Sequence, residues 1–298
     1  MNCLVTGAAG FIGSTLTDAL LRLGHSVIGV DSFTDYYPEC IKRANLAEAL
    51  RSPRFRRIEA DLNAVDLRNL LLGVDWVFHQ AGQPGVRMSW GDCFDVYVSN
   101  NVLATQKLLE AAKNSGIRRL VYASSSSVYG DAPELPLTET ARPQPVSPYG
   151  VSKLAAEHLC QLYHVNYGVP AVSLRYFTVY GPRQRPDMGF HKFIRAALTG
   201  DEICVYGDGL QTRDFTYIDD AVQANLLAAQ CDEAPGRVFN IGGGSRISVM
   251  EVLEILASLL GGLRVRHDQC QKGDVRHTMS DTTLARTVLG YAPTTGPR

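Results

Sequence analysis

Three evenly spaced glycines, Gly7, Gly10 and Gly13, join a short apolar stretch to an amphipathic one close to the start of the chain. Glycine lets a strand turn abruptly into a helix and lets backbone N–H groups come close to a ligand. Gly7-Ala8-Ala9-Gly10-Phe11-Ile12-Gly13 therefore reads as a strand–turn–helix unit. The helix N-terminus, with its positive dipole end, suits a diphosphate. The spacing is G-x-x-G-x-x-G, not the commoner G-x-G-x-x-G, and taken alone it fits a tight turn equally well. The chain around it narrows the choice. Apolar runs at 3–6, 27–30, 55–59, 76–79, 120–123 and 171–175 alternate with helical periods such as 12–23, 96–115 and 148–167. That alternation predicts an α/β fold over residues 1–175, a Rossmann-type doubly wound parallel sheet covered on both faces. After about Tyr176 the elements shorten, and Gly181-Pro182, Gly207-Asp208-Gly209 and Gly242-Gly243-Gly244 punctuate them. Residues 176–298 are expected to form a smaller α/β substrate-binding lobe, the other wall of a cleft, with some return to the first domain.

Composition removes several classes. The 298 residues, 45% hydrophobic, can bury a substantial core. A formal net charge of -1 and no long basic run argue against a nucleic-acid partner. No stretch approaches transmembrane length, and the N-terminus runs into strand pattern without a basic leader, so no membrane partner is expected. Seven scattered cysteines without a CxxC pair read as reduced thiols of a cytoplasmic protein, acting as small core hydrophobes. No His/Cys/Asp cluster has metal-ligand spacing, and no metal is expected. His79, at a strand end, reads as structural.

Asp31 ends the second apolar run. An acid there accepts ribose hydroxyls and repels a 2′-phosphate, which selects NAD over NADP. Asp61-Leu62, after the third run, would face the adenine, although Asp61 also suits a helix N-cap for Asn63 onward. Gln80, Ala81 and Gly82 end the fourth run, where small residues let a cofactor pass.

Pro148-Tyr149-Gly150-Val151-Ser152-Lys153 opens a helix, and Tyr149 and Lys153, at i and i+4, share a face. A lysine ammonium and a positive nicotinamide ring would both draw the tyrosine pKa down toward working pH. The serine run Ser124 to Ser127, before Val128-Tyr129-Gly130, lies at the C-terminal end of the fifth strand, outside which ligands bind in open parallel sheets.

Together the glycine turn, the serines before Val128-Tyr129-Gly130 and Tyr149-x-x-x-Lys153 resemble the extended short-chain dehydrogenase/reductase superfamily and its NAD-dependent epimerase/dehydratase family. Within it, Asp35-Tyr36-Tyr37 leading to Lys42-Arg43, then Pro84-Gly85-Val86-Arg87, and above all the run from Arg175 to Met188 resemble UDP-glucuronate 4-epimerases. Broader UDP-hexose epimerases usually carry Asn where this chain has Thr178.

The resemblance implies a redox epimerisation at the sugar 4-position through a transient 4-keto sugar. Tyr149 would be the acid/base, Lys153 would hold its phenolate, and Ser125 would bond the reacting hydroxyl, with Ser124 and Ser127 as alternative registers. It extends the cofactor set to Ser32, Lys42, Asn101, Ser124 and Tyr176. A 4-keto glucuronate is a β-keto acid that readily loses carbon dioxide, so its carboxylate must be held. Arg185 would clamp it bidentately, beside the hydroxyls of Ser126, Ser127 and Thr178, with Arg87 a second basic candidate. For the nucleotide end, Arg213 and Arg276 would neutralise the diphosphate, and Lys192, Phe193 and Val205 would flank the uridine. Asp219 and Asp220 suit the first turn of a helix.

Ser126 and Ser127 stand where 4,6-dehydratases usually have Asp-Glu, and a glucuronate decarboxylase usually has Glu at Ser127. Both activities are disfavoured. UDP-glucose/UDP-galactose 4-epimerisation and a non-catalytic NAD/UDP-sugar-binding protein are the remaining alternatives. The helices at 96–115 and 148–167 resemble those that form a four-helix dimer interface in this superfamily, which implies a homodimer. Relatives usually continue past the Leu-Gly-Tyr-x-Pro stretch at 289–293, so the chain is expected to be short or trimmed there.

Overall fold

Seven strands run parallel: β1 (Asn2–Thr6), β2 (Ser26–Asp31), β3 (Phe55–Glu59), β4 (Trp76–His79), β5 (Arg119–Ser125), β6 (Ala171–Tyr176) and, after a long excursion, β10 (Val238–Ile241). Their order in the computed structural model, which describes residues 1–297, is β10-β6-β5-β4-β1-β2-β3. Each predicted strand of the first domain is present, extended by at most a few residues. Side chains alternate between the two faces as strand geometry requires. Cys3, Val5, Trp76, Phe78, Val121 and Ala123 enter one core; Leu4, Val77, Leu120 and Tyr122 enter the other.

The first core is covered by α1 (Phe11–Arg22) and by α8 (Ile218–Gln230), which pack on each other. The second is covered by the short α3 (Leu67–Leu70), by α5 (Ala104–Ala112) and by α6 (Pro148–Tyr167). α2 (Glu39–Asn45) follows β2, and α4 (Phe94–Tyr97) precedes α5. The uninterrupted helix predicted over 96–115 is not found. A π-helical segment, Val98–Leu103, separates α4 from α5 and directs Asn101 inward, where it is buried. An extra residue per turn is a side-chain arrangement that apolar periodicity does not encode.

The second lobe holds a three-stranded sheet, β11-β9-β7, of β7 (Thr178–Tyr180), β9 (Thr212–Tyr217) and β11 (Arg246–Ser248). It also holds the parallel pair β8 (Glu202–Tyr206) and β12 (Arg264–Asp268), with α7 (Gly189–Thr199) and α9 (Val249–Leu260). Its own apolar cluster joins Val205, Phe215, Ile247 and Leu256. The return to the large sheet is substantial, since both α8 and β10 belong there. Asp219 and Asp220 do occupy the first turn of α8. Asp61 caps no helix: its side chain closes a turn onto the Asn63 N–H at 2.8 Å, and Asp66 caps α3 instead.

His79 is structural. Its ring nitrogens meet the Thr6 hydroxyl at 2.7 Å and the Thr105 hydroxyl at 2.9 Å, and burial pushes its pKa down to about 3. Of the cysteines, Cys3 and Cys160 are core residues, whereas Cys40, Cys93 and Cys270 are exposed, contrary to the expectation of core packing for each. No helix among the described residues is long and apolar enough to cross a membrane.

Candidate active site

One cleft of about 830 Å³ runs along the C-terminal ends of the parallel strands and reaches the second lobe. Every residue proposed above for cofactor or sugar nucleotide lines it, except Asn101 and Arg276.

The glycine turn forms one end. Gly7 has φ +68°, and a Cβ on it would lie 2.7 Å from the Ala81 nitrogen. A Cβ on Gly13 would overlap the Gly7 carbonyl oxygen. Gly10 is the N-cap of α1 and no side chain caps that helix, so its first amides have no intrahelical partner. This is a cradle of free donors with backbone in place of side chains, and it fits a dinucleotide diphosphate. Gly13→Ala should abolish retention of NAD through purification while other sites stay intact, read from the absorbance of the released cofactor.

Asp31 accepts from the Ala9 N–H at 2.9 Å and the Phe33 N–H at 2.9 Å, which fixes the carboxylate at the end of β2. Lys42 is buried and bonded to the Thr34 carbonyl and hydroxyl. Tyr176 donates to Gln80 at 3.3 Å and accepts from Asn225 at 2.7 Å, holding Gln80 beside Ala81. Asn101 departs from its expected role. Its amide accepts from the Gln83 N–H at 2.6 Å and donates to the Gln83 carbonyl at 3.1 Å and the Ser152 hydroxyl at 2.9 Å, so it clamps the strand-end loop from behind.

Ser147 caps α6 by accepting from the Gly150 N–H at 3.1 Å, Pro148 stands in its first turn, and Gly168 in the left-handed region ends it. That start places Tyr149 and Lys153 in its first turns, facing the cleft. The Tyr149 ring meets Tyr97 edge-on at 6.2 Å, and Tyr97 anchors itself on the Pro84 and Gly85 carbonyls at 2.9 and 2.8 Å. Tyr97 carried no signal in the sequence that set it apart from a core aromatic. Burial holds the Tyr149 pKa above its ordinary value, with the Ser125 hydrogen bond and the Arg185 charge partly opposing. The lysine-driven lowering expected from spacing is therefore not found in the protein alone. Lys153 is itself pushed down to about 8 by burial, and its ammonium lies over the Tyr122 ring at 4.7 Å from the centroid.

The serines separate by partner. Ser124 gives its hydroxyl to Glu157 at 2.6 Å, which commits it although it lines the cleft. Ser125 accepts from the Ser127 N–H at 3.1 Å and lines the cleft with Tyr149, whose pKa it helps to hold down. Across the cleft, Thr178 starts β7, and Arg185 forks Asp187 through Nε and Nη2, both at 3.0 Å. Arg213 reaches the cleft with no carboxylate at ion-pair distance among the described residues, and burial pulls its pKa down. Arg87 pairs with Asp274 at 2.6 Å and lies over the Tyr206 ring at 4.1 Å. Arg276 is turned outward, bonded to Asp208 at 2.7 Å through each nitrogen of its fork. Sequence spacing placed it next to Asp274 but could not tell which way the loop directs it.

Known proteins share this fold. A family model described as the NAD dependent epimerase/dehydratase family matches residues 3–242. An uncharacterised UDP-glucose epimerase of Bacillus subtilis is 44% identical over 297 residues, 99% of this chain and 94% of the relative. A UDP-glucuronate 4-epimerase of Thermodesulfobacterium geofontis is 38% identical over 297 residues, 97% of this chain and 90% of the relative. The crystal structure of UDP-glucuronic acid 4-epimerase from Bacillus cereus in complex with UDP-glucuronic acid and NAD superposes with a TM-score of 0.97 at 43% identity, covering 100% of this chain and 95% of that one. The cleft at the strand ends, the glycine cradle and Tyr149 with Lys153 thus stand in a chain that belongs to the NAD-dependent epimerase/dehydratase family.

Proposed function

We propose that this chain catalyses the NAD-dependent 4-epimerisation of UDP-glucuronic acid to UDP-galacturonic acid. The observation that carries the reading is that Arg185 and Tyr149 line one cleft. In glucuronate the carboxylate sits on the carbon next to the one bearing the 4-hydroxyl. A guanidinium in the cleft that holds the proton-transfer group is therefore matched to an acid beside the reacting hydroxyl.

Bound NAD would supply the hydride acceptor and donor at sugar C4. Tyr149 takes the 4-hydroxyl proton and, once the planar 4-keto sugar has turned over and regained the hydride on its other face, returns the proton to the 4-oxygen. Ser125 holds the reacting oxygen against Tyr149, and Lys153, when charged, steadies the phenolate. Arg185, with Ser126, Ser127 and Thr178 beside it, keeps the carboxylate out of conjugation with the transient 4-keto group. Arg213 faces the diphosphate, with Lys192, Phe193 and Val205 at the uridine. The segment after Tyr176, apart from α8 and β10, acts as the sugar-nucleotide lobe. Seven free cysteines suit a reducing, cytoplasmic compartment. Exposed Val98, Leu103, Val151, Leu162 and Val165 on the helices at 94–112 and 148–167 suit a homodimer.

Arg185→Ala should cost about 1.5–3 kcal/mol of transition-state stabilisation, the worth of a charge-assisted contact, roughly ten- to hundredfold in kcat/KM for UDP-glucuronate. It should also let the intermediate lose carbon dioxide. Clean, undiminished epimerisation by the variant would remove the clamp.

One observation favours a second reading, UDP-glucose/UDP-galactose 4-epimerisation: Asp187 already compensates the Arg185 charge. Incubation with UDP-glucuronate, UDP-glucose and UDP-xylose, followed by separation of products, decides between the two. No epimer from any of them, with NAD and UDP still bound, would leave a binding protein.

A further inference from the structure

The three stretches that resemble UDP-glucuronate 4-epimerases are far apart in the chain, and the mechanism above draws mainly on the last. In the fold they meet at one point. The Tyr36 hydroxyl donates to Asp187 Oδ2 at 3.1 Å. It passes so near the Gly85 backbone that a Cβ there would lie 2.5 Å from it. The Tyr36 ring also faces the Arg185 guanidinium, whose carbon is 6.0 Å from the ring centroid.

Asp187 in turn grips Arg185 by its side edge, Nε and Nη2, at 3.0 Å each. A guanidinium carries five N–H donors in a rigid plane. Occupying the side edge leaves the terminal edge, Nη1 and the outer N–H of Nη2, as a second two-point fork. The hydrogen bonds of Arg185 to the described residues run through Nε and Nη2 and leave Nη1 without one.

The loop that bears this pair is anchored on either side of Arg185. Arg183, at φ +68°, pairs with Asp18 of α1 at 2.7 Å. Gln184 is buried, donating to the Val179 carbonyl at 3.1 Å and accepting from the His191 N–H at 2.9 Å. An arginine held in this way loses its rotamer freedom on folding and not on ligand binding, so less of the binding energy is consumed in ordering it.

We propose that Tyr36 and Asp187 are positioning residues that hold Arg185 with its terminal edge free for the sugar carboxylate, and that they set the preference for a uronic acid over a neutral hexose. This rests on the UDP-glucuronate reading above. It explains why the Asp35-Tyr36-Tyr37 stretch and Gly85 accompany the Arg185 segment. The opposite role for Asp187, an internal carboxylate competing with the substrate's, predicts the opposite sign on removal.

The test uses the NAD-loaded full chain and its Asp187→Asn and Tyr36→Phe variants. The dissociation constants of UDP-glucuronate and of UDP are measured, together with kcat/KM for UDP-glucuronate and UDP-glucose. Asp187→Asn should weaken UDP-glucuronate about tenfold, equivalent to about 1.4 kcal/mol. It should lower the glucuronate-to-glucose ratio of kcat/KM by a similar factor and leave UDP affinity within twofold. Tyr36→Phe should move the same quantities in the same direction by less. Tighter UDP-glucuronate binding in Asp187→Asn would overturn positioning in favour of competition. Equal weakening of UDP and UDP-glucuronate would reduce both residues to loop scaffolding. Absence of UDP-glucuronate turnover in the unaltered chain would sink the proposed function, whereas normal turnover there with unaffected variants would sink the positioning role alone.

Discussion

Tyr149→Phe is expected to lower kcat by about 10²–10⁴-fold, the usual worth of a positioned general acid/base, while NAD and UDP-sugar affinities stay within a few-fold. The substitution is nearly isosteric. The ring still fits edge-on against Tyr97 at 6.2 Å and keeps its place in the first turn of α6. What is lost is the O–H that faces Ser125. Because binding draws on the glycine cradle, Asp31 and the second lobe, the loss should fall on kcat and not on KM. The pH dependence gives an independent reading. Burial raises the Tyr149 phenol above its ordinary value, so its base form grows as pH rises. Lys153, pushed down to about 8, already loses its charge at lower pH than that. Phenolate beside ammonium is thus limited from both sides, and kcat/KM for the unaltered enzyme should peak on the alkaline side of neutral, with apparent pKa values belonging to the pair. Residual activity of Tyr149→Phe should lack the rising limb. A variant with the same kcat, or with the same rising limb, would remove Tyr149 from proton transfer.

The second large effect lies behind the catalytic serines. Glu157 on α6 and Arg175 on β6 form a buried pair, with side chains 3% and 5% exposed, bonded at 2.6 Å and 3.0 Å. Burial opposes the Arg175 charge, yet the Glu157 bonds and charge outweigh it and hold the guanidinium above its ordinary value. The pair is fully partnered. Glu157 also accepts from Ser124 at 2.6 Å, Arg175 also donates to the Tyr129 hydroxyl at 2.8 Å, and Tyr129 donates to Asn240 of β10 at 2.7 Å. Removing one member strands the other charge in the interior, a cost of about 3–5 kcal/mol, against total domain stabilities of about 5–15 kcal/mol. Glu157→Leu and Arg175→Met should each shift the urea midpoint strongly downward. The double variant, with no charge left unpaired, should be more stable than either single one. Additive losses in the double variant would mean that the two side chains act independently.

Much of this molecule can be read in its sequence because apolar period and glycine spacing act locally. The strands of the first domain and the limits of α6 follow from alternation and from Ser147-Pro148 and Gly168, and the glycine turn announces its own sterics. What escaped is what depends on side-chain direction across the fold. The resemblance implied Asn101 as a cofactor ligand, whereas in the fold the π-helical turn bonds it to the Gln83 backbone. Arg276 looked like a diphosphate ligand, but its loop directs it to Asp208. Spacing rightly put Lys153 one turn from Tyr149, yet spacing says nothing of desolvation, which acts on both groups in the direction opposite to their mutual attraction. The link from Tyr36 to Arg185 spans three distant stretches and becomes visible only once the fold brings them together.

The late return of β10 to the edge of the large sheet has a consequence for how such proteins can be taken apart and recombined. β6 leads out to the second lobe, α8 and β10 come back, and β11 leaves again. The two lobes are therefore interleaved along the gene, and no single cut yields two complete halves. A fragment ending at Tyr176 would leave β6 as a raw edge and the first core without α8. New sugar specificities on this scaffold are accordingly reached by remodelling the excursions between β6 and β10 in place, and not by exchanging a cassette.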